Sequence, residues 1–273
     1  MSVSQVATHD VEIHDEIVIK RYRSWDRLEP HREWTALHLL AEHAPGLAPT
    51  PLGADLDGTP PTVVMSRLPG TPLRGQVAGP EQVRALAAAL TRLHRTVPAA
   101  ESLKPAAWHP AAAVAHVRAR VAEDPDLGDS PTVRQARALG TAWLSGPSID
   151  RLPADPFPPV LGLADGNRAN YLWDAAGARV HLVDWEDSGR ADRAFELADL
   201  CEHISHADGH LDTDLLLAQL DLSAGEAARV REFRRLIALG WLLMLGPGGP
   251  ATHRNPPGTL DHQARRVLTL LDG

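Results

Sequence analysis

The chain reads as an α+β protein of two lobes: a small antiparallel β-sheet with one helix, then a larger, mainly helical part carrying a β-hairpin of its own. Three observations predict this. β-Prone runs at residues 11–13 and 17–19 flank the turn residues His14-Asp15, helical periodicities dominate from Pro80 onward, and a second β-prone pair, 171–173 and 180–183, brackets Asp174 to Ala178. With 273 residues and 44% hydrophobic content, the chain is long and apolar enough to bury a full core.

The first hairpin ends in Lys20, a position whose side chain the sheet aims. From Asp26 a helix is signalled: Asp26 and Glu29 have capping-box spacing, Pro30 suits a first turn, and Trp34, Leu37, Leu40 and Ala41 form an apolar stripe. Glu33 lies beside that stripe, and a glutamate on the buried side needs a cation, for which Lys20 is the nearest candidate. Pro49, Pro51, Pro60, Pro61 and the turn pair Asp57-Gly58 punctuate the chain beyond this helix, so the amino-terminal lobe is expected over residues 1–67 and the helical lobe over 68–273. Helices are expected over 80–97, 106–121, 131–144, 191–206, 224–245 and 260–271, with Ser130-Pro131 and Ser223 as starts. The proline-rich stretch 146–159 is a loop leading into residues 160–163.

The chemistry concentrates in two polar strings, Asp165-Gly-Asn-Arg-Ala-Asn170 and Asp184-Trp185-Glu186, on either side of the second hairpin. Folding that hairpin about Gly177 sets Asn170 opposite Asp184, and opposed strand residues have Cβ atoms about 4.5–5.5 Å apart. An amide oxygen and a carboxylate at that separation suit Mg²⁺, which takes one or two protein oxygens and fills its shell with phosphate oxygens and water. Asp165, on the entering loop, is left to receive a proton. A lone Asp-x4-Asn is most often only a turn; the second aspartate and the upstream Lys20 and Glu33 give this one its weight.

Composition narrows the function classes. A formal charge of -8 disfavours nucleic acid as a partner. The arginine pairs Arg234-Arg235 and Arg265-Arg266 read as solvated helix faces, and Glu123, Asp124, Asp126, Asp129, Asp208, Asp212 and Asp214 as carboxylates available to a cationic ligand. The single cysteine, Cys201, rules out an internal disulfide, and no basic-then-apolar leader pattern opens the sequence, so a cytoplasmic setting is expected. The longest apolar run, 236–245, is far below the ~20 residues of a membrane span. Cys201, His203, His206 and His210 cluster in sequence, yet Cys201 and His203 would face different sides of the expected helix, which argues against zinc. No Gly-x-Ser-x-Gly elbow or Walker loop is present.

The order Ile-Val-Ile-Lys20, Glu33, Val63-Val-Met65-Ser-Arg-Leu-Pro-Gly70-Thr-Pro-Leu73, Leu93-His94, Asp165-x4-Asn170, Asp184-Trp-Glu186 and Phe195-Glu-Leu-Ala198 resembles the aminoglycoside phosphotransferase family over residues 11–205. The resemblance implies a protein-kinase-like fold and a small-molecule kinase using ATP, or GTP, with Mg²⁺. It implies that Asp165 orients or deprotonates the acceptor hydroxyl, that Asn170 and Asp184 hold magnesium, and that Lys20, steadied by Glu33, contacts the α- and β-phosphates. Residues 65–68, with the backbone of Ser66 and Leu68, would meet the adenine edge. The sequence departs from the family in two places: Leu163-Ala164-Asp165 stands where the family writes His-Gly-Asp, and residues 1–10 hold no glycine, leaving Ser4 and Ala7 as the small residues near a phosphate. The expected acceptor is a hydroxyl-bearing small molecule, first a cationic antibiotic such as an aminoglycoside. The alternatives are a metabolite of choline, homoserine or sugar type, or an inert nucleotide-binding module. The protein is expected to act as a monomer or homodimer, without nucleic acid or membrane.

Overall fold

The computed structural model describes residues 9–96, 100–154, 157–252 and 255–272. Strands β1 (Asp10–Ile13), β2 (Ile17–Arg21), β3 (Pro51–Asp55) and β4 (Thr62–Ser66) form an antiparallel sheet in the order β1-β2-β4-β3, crossed by helix α1 (Glu29–His43). Val18, Val63 and Met65 pack from the sheet against the buried Ala36, Leu37 and Leu40 of α1. Helix α1 starts at Glu29, three residues later than the sequence predicts. Leu28 at its N-cap adopts φ 66, no side chain caps the helix, and the Glu29 carboxylate turns back to accept from Arg27 N, so the Asp26/Glu29 capping box does not form.

Beyond residue 70 the chain builds the larger, helical part: β5 (Thr71–Pro72), α2 (Pro80–Thr96), α3 (Pro110–Ala122), α4 (Pro131–Leu144), β6 (Val160–Gly162), β7 (Tyr171–Asp174), β8 (Arg179–Leu182), β9 (Gly189–Ala191), α5 (Arg193–Glu202), α6 (Thr213–Ala218), α7 (Ala224–Met244) and α8 (Thr259–Asp272). Helix α7 is the central post: α3, α4, α5 and α8 all pack on it, and it contributes Phe233, Leu236, Leu239, Leu242 and Leu243 to the core. Its start is the capping box that Ser223 signals, since Ser223 Oγ accepts from Glu226 N while Glu226 Oε2 accepts from Ser223 N. Helix α3 begins four residues later than expected: Pro105 bridges Arg190 of β9, and the extended His109 is the N-cap before Pro110 in the first turn. No helix among the described residues is long and apolar enough to cross a membrane.

One sequence expectation about charge is overturned here. Arg234 is buried and Arg266 half-buried: both grip the fully buried Glu202, Arg234 through Nε at 2.6 Å and Arg266 through Nε and Nη2 at 2.8 and 2.6 Å, tying α5 to α7 and α8. Six of the expected ligand-facing acids have partners, with Asp124, Asp129 and Asp214 staying largely exposed, and the side chain of Asp208 lies outside the described residues. Glu123 pairs with Arg120, Asp124 with Arg137, Asp129 with Arg134 and Asp214 with Arg234, while Asp126 accepts from Gly128 N and Asp212 caps α6. In every pairing the partner lies on a helix, some of them remote in sequence, which composition alone does not show.

Candidate active site

The β7–β8 hairpin sets the register of the site. Tyr171 pairs with Leu182 and Asp174 with Arg179, and the ladder continues through Val183 N donating to Asn170 O at 3.0 Å. Asn170 therefore lies opposite Val183, not Asp184, one residue off the sequence expectation. The turn explains the slip: the Asp174 carboxylate accepts from Ala176 N and Gly177 N, and Ala178 takes the left-handed conformation (φ 46), so the loop is four residues, 175–178, rather than being centred on Gly177. A one-residue shift would turn Asp184 to the wrong face. The chain corrects for it by leaving the strand geometry at Asp184 itself, where φ is 68.

That bend delivers Asp184 to Lys20. The Lys20 ammonium lies 2.8 Å from Glu33, 2.5 Å from Asp184 and 2.5 Å from Glu186, and its side chain is 7% exposed. Glu33 is the buried anchor: its carboxylate accepts from Lys20, from the Tyr22 hydroxyl and from Trp185 N at 3.2 Å. Glu186, which the sequence motif contains but to which no role was attached, also meets His9 Nε2 at 2.9 Å. The signal for it was Trp185, fully buried, which sends the carboxylates before and after it to the same cation. Ser4 and Ala7 lie outside the described residues; His9 packs on Tyr22 in a tilted ring pair with centroids 4.8 Å apart.

The electrostatics follow from burial and crowding. Desolvation opposes the Lys20 charge, but Glu33 and then Asp184 outweigh it and hold its pKa well above the ordinary lysine value. Desolvation by the surrounding protein, with Glu186 and Glu33 adding to it against the pull of Lys20, raises Asp184 to about 6 although its side chain stays 41% exposed, so the crowding of carboxylates is the firmer cause. Burial would raise Glu186 as well, yet His9 and Lys20 bring it down to about 2. Glu33, Asp184 and Glu186 each offer a carboxylate oxygen within 4.8 Å of the others, all gathered around the Lys20 ammonium, and of the three Asp184, 41% exposed, is the hard oxygen donor that suits a magnesium ion.

Asp165 stands on the loop before β7. Its Oδ2 accepts from Asn170 Nδ2 at 2.9 Å and its Oδ1 from Asn167 N at 2.9 Å. With the Asn170 amide nitrogen committed to Asp165, the amide oxygen is the group left to offer a cation. The structure thus joins Asp165 to Asn170, and Asp184 to Lys20 and Glu33. Ser66 and Leu68 lie at the end of β4 and just beyond it.

The Leu163-Ala164-Asp165 departure has a local account. Leu163 is 1% exposed and belongs to the core, and Ala164 holds φ 60, a conformation that costs an alanine roughly 1 kcal/mol. Helix α5 braces the strained loop: Glu196 accepts from Ala164 N at 3.1 Å and Asp199 from Gly166 N at 2.8 Å. Only glycine fits at 166, since a Cβ there would lie 2.4 Å from Asp199 O. The sequence motif Glu196-Leu-Ala198 is recognisable, but sequence reading assigned neither carboxylate a role.

Both braces are buried acids. Desolvation first, with neighbouring carboxylates adding, raises Glu196 to about 7 and Asp199 to about 8. For a carboxyl whose folded pKa exceeds the unfolded one, the native state keeps a proton that the unfolded chain releases, so stability falls as pH rises through that window. The wild type should therefore lose stability relative to Asp199→Asn between about pH 4 and about pH 8, by about 1.4 kcal/mol for each pH unit crossed, and level off above. Denaturant melts of both proteins at several pH values check this; a pH-independent difference would contradict it.

A two-lobed chain with a sheet lysine held by a helix glutamate, an Asp-x4-Asn loop and an Asp-x-Glu turn has the protein-kinase-like architecture of the small-molecule kinases. Residues 3–233 match the phosphotransferase enzyme family, APH, and the chain belongs to that family. Choline kinase LicA from Streptococcus pneumoniae superposes with a TM-score of 0.60 at 14% identity, covering 99% of this chain and 92% of that one. The spectinomycin phosphotransferase APH(9)-Ia, solved with ADP and spectinomycin, gives 0.61 at 12% identity, covering 100% and 90%. A thermostable mutant of the aminoglycoside phosphotransferase APH(4)-Ia, in a ternary complex with AMP-PNP and hygromycin B, gives 0.59 at 13% identity, covering 100% and 92%. No curated protein sequence matches the chain.

Proposed function

We propose that this kinase transfers the γ-phosphoryl group of ATP, with GTP as the alternative donor, to a hydroxyl of a small molecule, with Mg²⁺ as cofactor. The observation that carries the reading is the pairing of Lys20 with Glu33 and Asp184 beside the Asp165–Asn170 hydrogen bond, because phosphoryl transfer is mostly positioning and charge neutralisation. Lys20 binds the α- and β-phosphates, and Glu33 keeps its ammonium aimed. Asn170 through its amide oxygen and Asp184 through its carboxylate hold magnesium, which when bound supplies charge neutralisation at the phosphates. Asp165 fixes the acceptor hydroxyl and takes its proton. The nucleotide lobe ends at Arg67. Ser66 N and Arg67 N donate to Thr50 O and Glu16 O, which leaves Leu68 as the remaining donor of this segment for the adenine edge.

The acceptor is an antibiotic, such as an aminoglycoside. A second reading is a small amino alcohol of the choline type, since the choline kinase LicA is among the structures this chain resembles. Incubation with γ-labelled ATP, Mg²⁺ and, separately, spectinomycin, hygromycin B, choline or ethanolamine tests both. Labelled antibiotic is the expected product. Label on choline or ethanolamine alone selects the second reading, and absence of nucleotide binding would leave an inert module.

A further inference from the structure

A histidine from the segment after α5 faces the proposed base. Helix α5 ends at Glu202, and residues 204–208 form a 3₁₀ turn, so His203 and His206 do not share the continuous helix the sequence predicts. His203 is the junction, and its ring is turned inward. Nε2 lies 3.7 Å from Asp165 Oδ1, and the ring meets Trp241 edge-on with centroids 5.0 Å apart.

The hydrogen bonds on the far side of the ring settle which nitrogen carries the proton. Ser205 N donates to His203 Nδ1 at 3.1 Å, so Nδ1 is the acceptor and bears no hydrogen. Ser205 Oγ, 3.0 Å from the same nitrogen, accepts from Arg168 N at 3.1 Å and so has its own proton to give. The neutral ring must then carry its hydrogen on Nε2, toward Asp165. A path runs from the backbone at Arg168 through Ser205 and His203 to the carboxylate, bridging both ends of the 165–168 loop.

We propose that His203 is a positioning residue for Asp165: its Nε2–H faces the carboxylate across 3.7 Å, and the contact closes to a hydrogen bond when the acceptor is bound, holding the carboxylate in the orientation in which it receives the acceptor proton. This rests on the kinase reading of the site. Neutrality of the ring is consistent with its surroundings: burial, opposed by Asp165 and helped by Arg74, His206 and Arg168, lowers its pKa to about 4.

Two measurements decide it, and the first needs no turnover. Long-range ¹H–¹⁵N spectra of histidine-labelled protein at pH 7.5, with His203 assigned by its absence in His203→Gln, should show a neutral ring protonated at Nε2 whose signals move in Asp165→Asn. An Nδ1-protonated or doubly protonated ring, or signals indifferent to Asp165→Asn, would overturn the proposal. The second is MgATP hydrolysis, with water as acceptor. His203→Ala should lower kcat about 10–100-fold, the worth of one hydrogen bond to a charged group, at unchanged KM for ATP. His203→Gln, whose amide reaches the Nε2 position, should recover most of it, and equal losses in both variants would also overturn it. A wild type without hydrolysis counts against the kinase reading, and the spectra still decide the placement of the proton.

Discussion

Asp165→Ala should abolish phosphoryl transfer while leaving nucleotide binding nearly intact. The expected loss in kcat is on the order of 10²–10⁴-fold, the range for removing a positioned general base. The separation of the two effects comes from geometry. Asp165 shares its oxygens with Asn167 N and Asn170 Nδ2, and its side chain is 33% exposed, whereas Lys20 and Asp184 pair with each other without it. Asp165→Asn is the sharper variant, since it keeps the shape and one acceptor oxygen but cannot take a proton. Initial rates with the acceptor identified from the panel, beside a calorimetric titration of MgATP, make the measurement. Undiminished turnover in both variants would remove Asp165 from the chemistry.

How much of this was legible from the chain alone divides along a physical line. Elements whose ends are set by local chemistry were placed well: α4 begins at Pro131 and ends at Leu144 as its proline and apolar period require, and α7 starts on its own capping box. The Lys20–Glu33 pair followed from a strand end and a helix stripe, because a buried carboxylate has to find a cation. What was misplaced depends on distant partners or on side chains wrapping a turn. The start of α1 is fixed by a carboxylate turning backward, and the β7–β8 register by Asp174 closing its own loop. His203 carries no local signal at all: its meaning comes from a helix ending at Glu202 and from a loop nearly forty positions earlier. Glu202, Arg234 and Arg266 are illegible for the same reason, since each reads as an ordinary charged residue on its own helix.

Lys20→Met should change two affinities in opposite directions. The ammonium sits among three carboxylates whose oxygens lie within 4.8 Å of one another, so with all four groups charged the cluster carries two net negative charges. In the nucleotide-free protein Lys20 therefore occupies the field in which a divalent cation would settle. Removing it while keeping a side chain of similar length leaves three mutually repelling carboxylates, relieved by protonation or by a cation. Binding of Mg²⁺ or Mn²⁺ alone should tighten. MgATP affinity should fall about 10–100-fold, because the phosphates lose a charge-assisted donor worth about 1.5–3 kcal/mol. Calorimetric titrations of Mn²⁺ with and without nucleotide separate the two. A lysine that merely stabilised the sheet would weaken both on removal, and that result would contradict its assignment to the phosphates.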